Sequence, residues 1–150
     1  MNGGLLKRES EKMEDFLEDE LFVFEKMVKV DAAQRWNDTG IDLFPDSFVA
    51  IIYKGGFCQI NDSERLLDAA GYRYKKSEPG YMMADFPPGC LIGRVGDNIF
   101  HVGQGKVVHH QKGRLYLAVN RIIASQGLVQ SKSDTGYFNV MITVTPFTVI

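Results

Sequence analysis

His101, His109 and His110 carry the imidazoles that a metal site would need, but His109 and His110 are neighbours in the chain. In an extended segment adjacent side chains leave on opposite faces, so these two are not expected to share an ion. Cys58 and Cys90 show neither a CxxC motif nor Cys/His ligand spacing, and they read as buried thiols and not as a disulfide framework. Gly103-Gln104-Gly105 is a GxG with no helix pattern behind it, hence a turn and not a phosphate loop. No nucleophile elbow, phosphate loop or spaced carboxylate pair stands out, so no catalytic residue is assigned. Four aromatics, Trp36, Tyr72, Tyr74 and Tyr81, are the candidate ligand or interface residues, because their flat apolar faces end in a polar handle. Lys106, Lys112, Arg114, Arg121 and Lys132 fall in an acid-free region between Asp97 and Asp134. That region reads as a solvated face, or else as a contact for an acidic partner.

The chain that must position these groups has 150 residues, 45% apolar and 24% charged, enough for one domain with a sizeable core. Its formal charge of −2 hides an asymmetry. Residues 1–25 hold eight of the nineteen acids and three of the seventeen bases, so an acidic arm of −5 precedes a body of +3. No dense Lys/Arg stripe with interleaved aromatics is present, which argues against nucleic acid as a partner. Met1 to Leu6 lacks the basic start and long apolar run of a secretory signal, and no run approaches about 18 apolar residues. Synthesis in the cytoplasm without a membrane span is the expectation.

Within the arm, Met13, Phe16, Leu17, Leu21 and Phe24 recur at helical spacing among acidic residues, predicting an amphipathic helix from about Ser10 to Glu20. From Leu21 the period becomes that of a strand, with Phe22, Phe24, Val28 and Val30 on one side. Asn37-Asp38-Thr39-Gly40 and Phe44-Pro45-Asp46-Ser47 read as turns, and Phe48 to Tyr53 as a strand covered on both faces. Asn61 to Gly71 reads as a short helix, with Leu66, Leu67 and Ala70 on one face and Gly71 past its end. Tyr72 to Gly89 is a long surface loop punctuated by Pro79, Pro87 and Pro88. Leu91 to Val95 and Ile99 to Val102 form a hairpin about Gly96-Asp97-Asn98, and Leu115–Asn120 and Tyr137–Val144 complete the strands. Seven to nine short strands with such turns predict an all-β antiparallel sandwich of residues 26–150 behind the helical arm of residues 1–25.

Five segments add a family likeness by their order and spacing: Val30-Asp31-Ala32, Trp36 to Ile41, Gly89 to Gly96, Gly113 to Asn120, and Asp134 to Val140. Together, over about residues 28–145, they resemble the galactose-binding-like, jelly-roll β-sandwich of the PA-IL-type bacterial lectin family. The resemblance implies galactoside binding through one calcium ion, held by an Asp after the Asn that ends a strand and by paired Asn residues before the final strand. Those positions are Arg121, Ser133 and Asp134 in this chain. A guanidinium offers no acceptor to a cation, so no metal or other cofactor is expected and Arg121 is expected to pair with Asp134 in its place. Trp36 then reads as a core anchor, with a ligand platform as the alternative.

These observations support a non-catalytic structural or interaction module that is attached through the arm to other subunits, as in a virion, tail or secretion-type particle. The alternative is a carbohydrate-binding module that uses Trp36, Tyr72, Tyr74 and Tyr81 without calcium. A hydrolase is the weakest reading, since nothing converges on a nucleophile, acid or base.

Overall fold

Alternation of apolar and polar residues makes this chain a set of strands. A computed structural model describes residues 23–123 and 134–146. Eight strands are present: β1 Phe24–Asp31, β2 Asn37–Leu43, β3 Ser47–Gln59, β4 Leu91–Val95, β5 Asn98–His101, β6 Gly105–His109, β7 Gly113–Val119 and β8 Thr135–Pro146. They pair antiparallel in two four-stranded sheets, β1-β8-β3-β6 and β2-β7-β4-β5. This is the all-β sandwich that the alternation predicted, and among the described residues there is no helix. Met13, Phe16, Leu17 and Leu21, with the predicted arm helix, lie outside the described residues; Phe24, read both on the arm's apolar stripe and in the strand that follows, is the first residue of β1.

Val30, Val49, Ile51, Phe138, Val140 and Ile142 of the first sheet meet Ile41, Leu91, Leu115, Leu117 and Val119 of the second, all of them at most 5% exposed. Each such side chain contributes about 1.5–3 kcal/mol by leaving water. Register gathers the functional loops at one end. Asp31 faces Tyr137, Gln59 faces Thr135, Asn37 faces Leu117 and Leu91 faces Val119, so the segments beyond these residues emerge together.

Four local expectations are corrected. Asn37 to Gly40, read as a turn, begins β2, because Asn37 Nδ2 donates to Leu117 O at 3.1 Å and Thr39 Oγ1 to Leu115 O at 2.7 Å, which lets two polar residues point inward. Phe48 to Tyr53 is covered on one face only among the described residues: Phe48 and Ile52 are exposed while Val49 and Ile51 are buried, because no described segment lies over that side of the sheet. The helix read at Asn61 to Gly71 is an irregular connection. Asn61 and Asp62 take positive φ, and Leu67 exchanges backbone hydrogen bonds of 2.8 and 2.9 Å with Cys58, which holds it extended. Gly71 does adopt positive φ, but for a turn against Pro88, whose carbonyl would lie 2.4 Å from a Cβ there. Lastly, Tyr72 to Gly89 is not simply a surface loop, since Ser77, Met82, Pro88 and Gly89 are buried.

Candidate functional site

At the loop end of the sandwich β7 runs out into Asn120 and Arg121, and Asp134 immediately precedes β8. Arg121 Nη1 donates to Asp134 Oδ2 at 3.0 Å, and each side chain is 3% exposed. Arg121 Nη2 donates to Ala33 O at 2.8 Å, and the Asn61 backbone N–H donates to Asp134 Oδ1 at 3.0 Å. One ion pair therefore ties together the segments after β1, after β3, after β7 and before β8. This donor set does not fit a calcium ion, which needs about six to eight oxygen ligands: both Asp134 oxygens accept protein hydrogen bonds, and the neighbouring guanidinium offers only donors. Ser133 lies outside the described residues.

Asn120, fully buried, is a positioning residue that sequence reasoning missed. Its Oδ1 accepts from Met83 N at 2.9 Å, and its Nδ2 donates to Met83 O at 2.9 Å and Ser77 Oγ at 3.2 Å. These bonds draw the 77–87 segment over the outside of the second sheet. Met82 then packs on Cys90, Ile92 and Ala118 in a second apolar cluster, against which Trp36, Met83, Phe86 and Ile123 lean. Trp36 is half-buried there, with the Arg94 guanidinium 5.0 Å from its ring, and it packs against the cluster. Tyr81 is held at the rim of the ion-pair junction, where its hydroxyl accepts from Asn61 Nδ2 at 2.8 Å.

Tyr72 and Tyr74 come together elsewhere. They sit in one β-turn, closed by Lys75 N–H donating to Tyr72 O at 3.0 Å, and both line a cleft of about 280 Å³ with Arg65, Gly71, Arg73 and Lys75. Tyr72 packs on the main core and its hydroxyl donates to Ser63 Oγ at 3.0 Å; Arg65 and Lys75 sit 5.2 and 5.1 Å from the centre of its ring. Tyr74 is 101% exposed. Arg73 also borders an adjoining cleft of about 440 Å³ with His101, Gln104 and Lys106. His101 stacks on Phe86 at 5.2 Å, and burial, then the Lys106 charge, lowers its pKa. A third cavity, about 300 Å³ between β1 and β2, is lined mainly by Phe24, Ile41, Phe44, Val144 and Pro146, and Asp42 is its one ionisable side chain.

The remaining candidates do not assemble a reactive centre. Cys58 and Cys90 are free and buried, and burial pushes each thiol up to about 12, so neither is a thiolate at neutral pH. His109 and His110 do not diverge as expected: positive φ at His110 breaks the alternation and brings the rings to 4.7 Å. Among the described residues no group of three or more His, Cys, Asp or Glu is placed to hold a metal ion. No described helix is long and apolar enough to cross a membrane.

No protein-family model and no curated protein matches this sequence. Among solved structures, the chain is similar to the N-terminal domain of EclA, described as a PllA-like lectin: 19% identity, TM-score 0.51, over 85% of this chain and 98% of that one. The likeness shows a lectin-type β-sandwich, the architecture that the five sequence segments implied.

Proposed function

We propose that this protein is a non-catalytic carbohydrate-recognition module whose ligand surface is the Tyr72–Tyr74 cleft, and that it works without calcium. The observation that carries this reading is the cleft itself. A fully exposed tyrosine stands beside a half-buried one among guanidinium and ammonium donors. Aromatic faces stack on the apolar faces of sugar rings, and a few fixed donors orient the hydroxyls around them. The likeness to a lectin supports carbohydrate as the ligand class. It lends no support to a virion or particle subunit, a reading that rests on an arm whose residues 1–22 lie outside the described residues. Calcium independence is supported by the Arg121–Asp134 pair, since a guanidinium offers a cation no acceptor and occupies the carboxylate.

The test is a glycan array probed with the full chain in the presence of calcium or of a chelator, beside Tyr74→Ala. The reading expects saccharide binding that the chelator leaves unchanged and that the substitution removes. Binding that needs calcium, or that Tyr74→Ala leaves intact, would overturn it.

A further inference from the structure

We infer that the saccharide this cleft takes is acidic, a carboxylate-bearing sugar of the uronic acid class. The inference rests on the carbohydrate reading above and deepens it. The cleft with Tyr72 and Tyr74 is lined by Arg65, Arg73 and Lys75, and the adjoining one by Arg73 and Lys106; neither lining contains an Asp or Glu. Two clefts that share an arginine thus present four permanent cations around two tyrosines.

Among the described residues Asp68 is the carboxylate in contact with this surface. Its Oδ2 accepts from Arg73 at 3.0 Å and from Gln104 at 3.4 Å, while its Oδ1 accepts from the Ala70 N–H at 2.8 Å. It fixes Arg73 at the boundary between the clefts and does not reach the other cations. Among the described residues Arg65, Lys75 and Lys106 join no ion pair. Arg65 and Lys75 are held instead near the Tyr72 ring, at 5.2 and 5.1 Å, a placement that keeps their charged ends beside an aromatic surface.

A neutral sugar would use the exposed Tyr74 ring and leave these charges without an anion. A uronate matches both parts: its ring lies against an aromatic face while its carboxylate accepts charge-assisted hydrogen bonds, two at once where a guanidinium is the donor. Repeating uronates would also meet the second cleft through Arg73 and Lys106.

The experiment titrates the full-length chain with oligogalacturonate, with a neutral galacto-oligosaccharide of equal length, and with polyglutamate. Each titration is run at low and high salt on the native chain, on Arg65→Ala/Lys75→Ala and on Tyr74→Ala. The inference expects oligogalacturonate to bind most tightly, to weaken with salt, and to lose about two- to fivefold in affinity per cation removed. Tyr74→Ala should remove binding of both saccharides. Equal affinity for the neutral oligomer, with no effect of the double substitution, would overturn the acidic specificity and leave carbohydrate recognition standing. Polyglutamate binding as tightly as oligogalacturonate would reduce the surface to a general anion patch and overturn the inference. An absence of binding to either saccharide would remove the carbohydrate reading as well.

Discussion

The Arg121–Asp134 junction and the Tyr72–Tyr74 cleft both place arginine beside tyrosine, and they use the charge oppositely. In the junction both charged side chains are 3% exposed and both carboxylate oxygens accept from within the chain. In the cleft Arg73 is 54% exposed, Arg65 and Lys75 join no ion pair among the described residues, and Tyr74 stands in solvent. Where the donors are matched internally the group of residues is structural; where they face water it is available to a ligand.

Breaking the junction carries the largest expected effect. Asp134→Ala leaves a buried guanidinium without its carboxylate and should cost about 3–5 kcal/mol in urea unfolding. Arg121→Met combined with Asp134→Leu should cost less than either single removal, because no lone charge is then buried. Next comes Asn120→Ala, which strips the 77–87 segment of its hydrogen bonds and should cost about 1–3 kcal/mol, with faster hydrogen exchange at Met83. The thiols act over a defined pH range. Their folded values are raised from 9.0 to about 12, so the stability that they contribute is full below pH 9 and falls as pH rises toward 12. A denaturation series across that range should show the decline, and Cys58→Ala/Cys90→Ala should flatten it. Smallest is Tyr74→Ala, which should change stability by less than about 0.5 kcal/mol while removing saccharide binding, the reverse of the junction variants.

Strands with uninterrupted alternation were legible in the sequence: the β4–β5 hairpin, β7 and β8 stand nearly where the period placed them. The misreadings share a cause, which is that distant backbone decided local structure. Leu66, Leu67 and Ala70 have helical spacing, but Cys58 holds Leu67 extended through two backbone hydrogen bonds. Asn37 and Thr39 look like turn residues until the β7 carbonyls that accept from them are in place. The approach of Arg121 to Asp134 followed from the family resemblance and not from spacing. Asn120 left no signal, since its partners lie 37 and 43 residues away in an irregular segment. Tyr72 and Tyr74 were legible as candidate aromatics, but the turn that joins them and the cations around them became visible only once the connection was folded.

The most direct measurement is a chemical-shift map of the labelled chain titrated with oligogalacturonate in the presence of a chelator. Recognition through the open cleft predicts perturbations concentrated at residues 65–75 and at Lys106, with Asn61, Tyr81 and Arg121 unmoved. Perturbations centred on Tyr81, Arg121 and Asp134, or appearing only when calcium is restored, would place recognition at the junction and contradict the account.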